Sequence, residues 1–345
     1  GYQGQYRTSF VASALMWHGA VIIVATQAVQ QRLLQVEIPR LQKWLKVNKP
    51  IIVADTFPSA DFKGILMVSP QAWLEAQLSS NNNFPGSIPT IIDGVDDLED
   101  WIRKQLTVNI ESYDWEQLML ACPSFAEEIR TLRVQLTHEI FQHPANPYEC
   151  YLISEPEEEF LCRTYTSLDL NSLPESWKKF WQLFRTRHET FSPAESSTSP
   201  PLLWATVNRR QGLFSLHCAP IELAKILSPI WQRQPVVLIG SALEPDTEAT
   251  LFRQRLGLGD LTCLKFSSDN QTQAIQLYIP NKLPLPNTPE FKPVFIHQVR
   301  QMVCLSATSP GLTVILVGDV PLKAQLGTIL ASEFGSRVQV DKTCL

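Results

Sequence analysis

The sequence predicts an α/β protein in which parallel sheets are flanked by helices. Short β-branched runs alternate with stretches of helical periodicity, and several of these runs are apolar on both faces, as strands covered on both sides must be. The chain has 345 residues, of which 44% are hydrophobic and 18% are charged. This length allows about two domains with separate cores, so the sequence excludes a disulfide-held miniprotein and a disordered chain.

Four apolar runs predict the strands of the first part of the chain. A predicted helix from about Gln27 to Lys46 separates the first two runs, which is the pattern of a βαβ unit. The predicted strands are Ala20–Ala25, Pro50–Ala54, Gly64–Ser69 and Pro89–Asp93.

The periodicity then becomes helical from about residue 96 to residue 188. It predicts helices at Asp97–Leu106 and Trp115–Phe141, with a break at Pro123. A Ser- and Pro-rich run at 192–201 predicts a linker, because it cannot recover its ordering entropy by burial. The predicted parts are a first domain at 1–107, an inserted helical subdomain at 108–191, the linker at 192–201 and a second domain at 202–345. In the last part, strands are predicted at Pro235–Ser241, Gln273–Ile279 and Leu312–Val317.

The segment Trp177–His188 combines aromatic and basic side chains at helical spacing. Such a helix can stack the bases of a single strand and neutralise its phosphates. Trp177, Phe180, Trp181 and Phe184 also follow the i, i+3, i+4, i+7 pattern of a buried stripe. We favour the buried stripe.

Charge and cysteine usage narrow the function classes. The net charge of −5 excludes a globally basic nucleic-acid-binding protein, although residues 201–345 carry 13 Lys or Arg against 10 Asp or Glu and are the better candidate for a polyanion face. The seven scattered cysteines form no CxxC pair and indicate reduced thiols in a cytoplasmic protein. The most apolar window, Leu15–Thr26, is shorter than the ~20 residues that span a bilayer, so we expect no membrane segment.

The first eight residues, GYQGQYRT, occupy the positions of the phosphate-loop pattern G-x-x-x-x-G-K-[ST]. We interpret Gly1, Gly4 and Thr8 as remnants of a phosphate cradle. Tyr6 stands where a second Gly lets backbone N–H groups close on phosphate, and Arg7 stands where a Lys brings an ammonium group. Because the chain opens inside this pattern, we expect it to be a piece of a longer protein.

An acidic residue at a strand end is the second nucleotide-binding signal. Asp93 ends an apolar strand, as a magnesium-binding carboxylate does, with Thr8 as the hydroxyl ligand of the same ion. In an active enzyme a Glu follows and activates the attacking water, but Gly94 occupies that position. Asp96 is a candidate for a displaced general base; the alternative, which we favour, is that Asp96 and Asp97 begin a helix.

Seven segments in order resemble one family, the DinG and XPD branch of the superfamily 2 DNA helicases, in a diverged, cyanobacterial-type form. Three lie in the first part and four in the second. They are Ala20–Leu34 with Ile38–Gln42, Ile65–Leu74, Ile91–Asp100 at the position of the DEAH box, Val236–Leu243 at that of a TSATL motif with Phe252–Leu258 after it, Ser267–Ala274, Tyr278–Pro289 and Thr313–Gly318.

The resemblance implies two RecA-like lobes, at 1–107 and 202–345, around the inserted subdomain. It implies binding of ATP with Mg²⁺ and of single-stranded or forked DNA, and it implies protein partners in DNA repair or replication. No cysteine lies between Thr8 and Asp93, so we expect no iron–sulfur cluster of the kind some members hold there. The departures at Tyr6, Arg7 and Gly94 affect residues that the family uses for ATP hydrolysis. The resemblance implies that the family's final motifs would follow Leu345.

The predicted roles follow from these patterns and from the resemblance. Gly1, Gly4, Arg7, Thr8 and Asp93 are the nucleotide-binding candidates. Thr26 and Ser69, at strand ends, are implied contacts to the DNA backbone, and Arg209 and Arg210 are candidate phosphate contacts or a solvated basic turn. The first hypothesis is a DNA-binding helicase-family protein with impaired ATPase. The others are an active helicase that uses Arg7 and Asp96, and a non-catalytic scaffold for protein partners.

Overall fold

The computed structural model of the chain describes residues 6–79, 84–146, 148–169, 172–189, 199–241, 243, 248–266, 280–286, 288–308 and 312–340. The helices are α1 (Arg7–Met16), α2 (Gln27–Arg32), α3 (Ile38–Leu45), α4 (Pro70–Leu78), α5 (Leu98–Leu106), α6 (Ser112–Ala121), α7 (Ala126–Gln142), α8 (Glu155–Ser167), α9 (Glu175–Glu189), α10 (Ala224–Arg233), α11 (Thr250–Leu256), α12 (Phe291–Ser306) and α13 (Val320–Phe334). The strands are β1 (Val21–Val24), β2 (Ile51–Val53), β3 (Ile65–Val68), β4 (Thr90–Asp93), β5 (Val108–Ile110), β6 (Cys150–Leu152), β7 (Leu202–Asn208), β8 (Leu213–Ala219) and β9 (Val236–Ile239). A π-helical turn, Leu33–Glu37, joins α2 to α3, and short 3-10 turns lie at Val95–Asp97, Pro123–Phe125 and Gly335–Arg337.

A parallel sheet of five strands in the order β2-β3-β1-β4-β9 forms the first layer. All residues of β1, β3 and β4 are buried. This confirms the predicted α/β class and the four strands predicted in the first part of the chain. The break predicted at Pro123 is also confirmed, since a 3-10 turn separates α6 from α7 there.

Helices cover both faces of this sheet because its strands are apolar on both. Val21 and Ile23 pack in one cluster with α1, the π-helical turn and α3. Ile22 and Val24 point the other way and pack in a second cluster with α4, α5, α10 and α11. The alternation of side chains along one strand therefore builds two hydrophobic layers.

A second sheet has the order β5-β8-β7-β6, with antiparallel β5–β8 and β7–β8 pairs. Residues alternate between buried and more exposed along β7 and β8, so one face is apolar, and helices α6–α9 cover it. The predicted stripe of α9 is confirmed as core, because Trp177, Phe180, Trp181 and Phe184 are all 0% exposed. The block 108–191 is nevertheless not purely helical, since it supplies β5 and β6 to this sheet.

The sheets do not follow the boundary predicted at 192–201. Strand β9, from beyond it, pairs with β4, and the β7–β8 hairpin pairs with β5 from before it. The physical reason is that strands pair through backbone hydrogen bonds at their edges, and such pairing can join strands that are distant along the chain. Residues 192–198 of the predicted linker lie outside the described residues.

The chain divides into two units. The first comprises 1–142 with 151–267, and the second 143–150 with 268–345. The second unit contains α12 and α13, with ion pairs between Lys292 and Asp319, at 3.3 Å, and between Arg300 and Glu333.

Two strands predicted for the second unit have different outcomes. The one at Gln273–Ile279 lies outside the described residues. The one at Leu312–Val317 is wrong, because residues 312–319 form neither helix nor strand, and Leu312 and Leu316 are 73% and 90% exposed. A strand needs a paired neighbour for its backbone hydrogen bonds, and the described part of the chain places none beside this segment.

Among the described helices, none combines the length and apolar character that crossing a bilayer would require.

Candidate nucleotide and nucleic-acid site

The carboxyl ends of parallel strands meet at one edge of the sheet, where ligands of open α/β folds bind. In this chain Ser69 follows β3, Thr26 follows β1 by two residues, Asp93 ends β4 and Ser241 follows β9 by two residues. These strands are neighbours in the sheet. The sheet therefore brings four residues from distant parts of the sequence to one edge, which we call the carboxyl edge.

Two side chains of the same chain bind the carboxylate of Asp93. The Tyr6 hydroxyl donates a hydrogen bond to Oδ1 at 2.9 Å, and the Arg7 Nε donates one to Oδ2 at 2.9 Å. The Asp93 side chain is only 1% exposed, and that of Arg7 is 15% exposed. A buried carboxylate must be paired and hydrogen-bonded to be stable, and these two residues meet both needs.

Tyr6 and Arg7 also support each other. The Arg7 guanidinium lies over the Tyr6 ring, 5.1 Å from its centroid, an attractive cation–π arrangement. Burial, followed by the hydrogen bond to Asp93, raises the pKa of Tyr6, so the hydroxyl keeps its proton as a donor. Burial alone would lower the pKa of Arg7, but the hydrogen bond and charge of Asp93 outweigh it and raise that pKa.

The cluster lies at the N-terminus of α1, where a phosphate loop would lead into its helix. Tyr6 is the residue before the helix, and Arg7 is its first residue. Thr8 lies in the first turn and is exposed; the described side-chain donors to Asp93 are those of Tyr6 and Arg7. The predicted cradle residues Gly1 and Gly4 lie outside the described residues.

A Mg²⁺–ATP complex does not fit the described residues in this arrangement. Such a complex needs carboxylate oxygens available to the ion or its water ligands, and both oxygens of Asp93 are engaged by Tyr6 and Arg7.

Asp96 is engaged with the neighbouring strand end. Its Oδ1 accepts hydrogen bonds from the backbone N–H and the hydroxyl of Ser241, both at 3.0 Å, and Oδ2 accepts a longer one at 3.2 Å from the same N–H. Gly94 makes the turn before it with φ +84°, a conformation that favours glycine. Asp96 thus joins the end of β4 to the end of β9, in a turn that precedes α5.

Thr26 and Ser69 both lie at helix starts on the carboxyl edge. Ser69 caps α4, because its Oγ accepts a hydrogen bond from the Ala72 N–H at 3.1 Å. Thr26 precedes α2 without a side-chain cap, and both residues are half-buried. Both hydroxyls thus lie at strand ends, where the family resemblance implies contacts to a DNA backbone.

Arg209 and Arg210 lie elsewhere, in the turn between β7 and β8 of the second sheet. Arg209 donates to the Phe141 carbonyl at 3.2 Å and to the Tyr151 hydroxyl at 3.0 Å, and it lies over the Phe141 ring. Its contacts hold the hairpin against the end of α7. Arg210 is exposed. The sequence-predicted site residues are therefore divided between two sheets.

Sequence reasoning missed the part of Tyr6. The pattern comparison treats Tyr6 as an obstruction where glycine belongs, whereas the structure makes it a ligand of Asp93. The available signal was that Tyr6 and Arg7 depart together from the pattern, which offers a hydroxyl and a cation to the one carboxylate that the pattern keeps.

No protein-family model matches the chain, and no curated protein matches it. Three similar solved structures are described as a truncated XPD, an XPD apo form and an XPD helicase, with identities of 11%, 11% and 10% and TM-scores of 0.39, 0.38 and 0.39. The matches cover 75%, 71% and 74% of this chain and 91%, 54% and 60% of those chains, so the chain spans little more than half of the second and third. Similarity at this level does not by itself establish a shared function.

Proposed function

We propose that this chain is a DinG/XPD-like protein that binds single-stranded or forked DNA and does not hydrolyse ATP. The observation that carries the proposal is the closed Tyr6–Arg7–Asp93 cluster. The acidic residue that would serve a magnesium ion instead accepts two hydrogen bonds, both of 2.9 Å, from the residues that replace the glycine and lysine of the phosphate loop.

The chemistry of hydrolysis also lacks a general base at the expected place. Gly94 offers no side chain to orient a water molecule, and Asp96 is bound to Ser241. Loss of a general base alone lowers a rate by about 10²–10⁴-fold. The active-helicase alternative requires both that Arg7 leave Asp93 and that Asp96 leave Ser241.

Sequence-independent DNA binding is supported by the strand-end hydroxyls. Thr26 and Ser69 lie at neighbouring positions on the carboxyl edge, at the starts of α2 and α4. Hydroxyl groups and helix N-termini hold phosphate oxygens without reading bases. The protein would therefore bind the backbone of a strand and accept many sequences.

Two measurements on the same preparation test this proposal. Affinity for a fluorescent oligothymidylate should fall steeply between about 50 and about 200 mM salt, since phosphate binding releases counterions. ATP turnover should stay at background with and without that oligonucleotide. A salt-independent affinity would contradict DNA binding, and single-strand-stimulated turnover that disappears in Asp93→Ala would establish the active-helicase alternative.

A further inference from the structure

Positive charge is concentrated in the first elements of the chain. Residues 1–54 contain six Lys or Arg and a single acidic residue, Glu37, whereas the remaining residues contain 23 Lys or Arg and 33 Asp or Glu. Comparing the two halves of the sequence, which favours residues 201–345, hides this concentration. In the fold, α1 and α3 pack on one face of the parallel sheet, so the basic residues share a layer.

The ends of α1 and α3 meet at the amino edge of the sheet, opposite the carboxyl edge. Both helices lead into parallel strands, β1 and β2, which are separated only by β3. Lys49 joins the two helix ends: its buried Nζ donates to the carbonyls of Ala14 at 2.9 Å, Trp17 at 2.6 Å and Gly19 at 2.8 Å. A single built corner therefore carries both helix ends.

This corner exposes large aromatic and apolar groups. Trp44 is 73% exposed, Trp17 54% and Met16 61%. The Trp17 indole lies beside Gly19, where a Cβ would be 3.2 Å from its Nε1. By contrast, Trp73, Trp115, Trp177 and Trp181 are fully buried. Exposing large apolar groups to water is unfavourable, and a patch of them on a protein surface commonly marks an interaction site.

Three cations lie on the helix that carries Trp44 or at its end. Arg40, Lys43 and Trp44 follow i, i+3, i+4 spacing and lie on one exposed face of α3, and Lys46 ends that helix. Of the other cations in this layer, Arg7 is paired with Asp93, Arg32 is paired with Glu37 and Lys49 is buried. No ion pair involves Arg40, Lys43 or Lys46 in the part of the chain that the structure describes.

We propose that this amino-edge surface, formed by Met16, Trp17, Arg40, Lys43, Trp44 and Lys46, is a second binding surface for single-stranded nucleic acid. The inference rests on the proposed DNA-binding function and adds a contact site outside the carboxyl edge. Indoles stack on bases and cations neutralise the phosphate backbone, and both kinds of side chain are exposed on this surface.

The chemistry favours a nucleic acid over an acidic peptide. Neutralising a peptide would use the cations alone, whereas two exposed indoles beside three cations match the alternation of base and phosphate along a strand. Because an indole can stack on any base, the surface would bind with little sequence preference.

The first experiment uses Trp44→Leu, with Tyr113→Leu as the control that removes an equally exposed aromatic ring from α6. Wild-type tryptophan fluorescence should be quenched by oligothymidylate, because Trp17 and Trp44 are exposed whereas the other seven tryptophans are buried or half-buried. We expect Trp44→Leu to weaken binding at least about fivefold and to reduce the quench. The Tyr113→Leu variant should bind as the wild type does.

The second experiment removes charge from the surface. Arg40→Gln/Lys43→Gln should lower affinity and reduce the salt dependence of log K by about 0.7 per lost phosphate contact. Lys178→Gln/Lys179→Gln on α9 removes equal charge elsewhere and should change neither. Heparin, a polyanion without bases, should bind more weakly and should be unaffected by Trp44→Leu.

The outcomes separate this inference from the proposed function. If the wild type binds no oligonucleotide, DNA binding fails and takes this surface with it. If the wild type binds but the Trp44→Leu and Arg40→Gln/Lys43→Gln variants bind equally well, only the amino-edge surface is rejected. Two results together would overturn base stacking: an equal loss of heparin and polyglutamate binding in Arg40→Gln/Lys43→Gln, and no effect of Trp44→Leu on oligonucleotide binding. The amino-edge surface would then be a general polyanion site.

Discussion

At the scale of single residues, the central feature is the buried carboxylate of Asp93, which is paired with side chains of the same chain. A buried carboxylate without a cation is costly, so a chain that binds no magnesium at this position, as we propose, needs another positive group there. Arg7 supplies that charge and Tyr6 supplies a second hydrogen bond. The two departures from the phosphate-loop pattern are thus explained by the one acidic residue that remains.

The stability of the cluster can be measured with Arg7→Met. Removing one partner of a buried pair leaves an uncompensated charge, so we expect the free energy of unfolding in urea to fall by about 2–4 kcal/mol. Adding Asp93→Asn should recover part of that loss, because the uncompensated charge is then gone.

The matched control is Arg130→Met, which breaks the surface pair with Glu127, whose side chains are 59% and 82% exposed. Exposed pairs contribute little, at most about 1 kcal/mol. A cost of Arg7→Met no larger than that of Arg130→Met would show that the pair with Asp93 does not hold the site closed.

At the scale of elements, local pattern predicted the parallel strands and the buried stripe of α9. Val21–Val24 and Ile65–Val68 are apolar without interruption, which is the pattern of a strand covered on both faces. Trp177 and Trp181 lie four residues apart on one face of α9, which is enough to place them in a core.

Pairing between distant strands was not predictable in the same way. Strand β9 lies beside β4 although more than 140 residues separate them, and the β7–β8 hairpin pairs with β5. The hydrophobic pattern states that a strand has an apolar face but not which strand covers its edge. The predicted strand at Leu312–Val317 failed for the complementary reason, since an apolar run without a neighbour forms no ladder in the described residues.

The second sheet contains a histidine whose protonation is linked to folding. His217 on β8 donates from Nδ1 to the Asn109 Oδ1 at 2.7 Å, and its Nε2 accepts from the Thr206 hydroxyl at 2.8 Å. Burial, which outweighs the nearby charge of Glu111, lowers the pKa of His217 from its ordinary value of 6.5. The folded state therefore holds this imidazole neutral.

This linkage predicts a pH dependence of stability. Below pH 6.5 the unfolded chain binds a proton on this imidazole, whereas the folded chain does not until the pH reaches its lower pKa. The contribution of His217 to the free energy of unfolding is therefore fully present above pH 6.5 and is lost as the pH falls toward the folded pKa. We expect His217→Gln to lose less stability on acidification than the wild type does, as measured by urea unfolding at several pH values. His138→Gln, which removes an exposed histidine, should behave like the wild type; identical pH profiles for both variants would exclude the linkage.

At the scale of the whole molecule, the parallel sheet separates two kinds of surface. Its carboxyl edge holds the closed Asp93 cluster and the strand-end hydroxyls of Thr26 and Ser69. Its amino edge holds exposed indoles and three exposed cations. Under the proposed function, the molecule would contact nucleic acid without carrying out the chemistry of ATP.

The central claim is that Tyr6 and Arg7 close the nucleotide site by engaging Asp93. The most direct measurement compares Mg²⁺-dependent ATP binding in the wild type and in Tyr6→Gly/Arg7→Lys, which restores the phosphate-loop pattern, with Asp93→Asn added to the double variant as the control. The account predicts no Mg²⁺-dependent binding by the wild type, binding by the double variant, and its loss when Asp93→Asn is added. Mg²⁺-dependent ATP binding by the wild type that Asp93→Asn abolishes would contradict it.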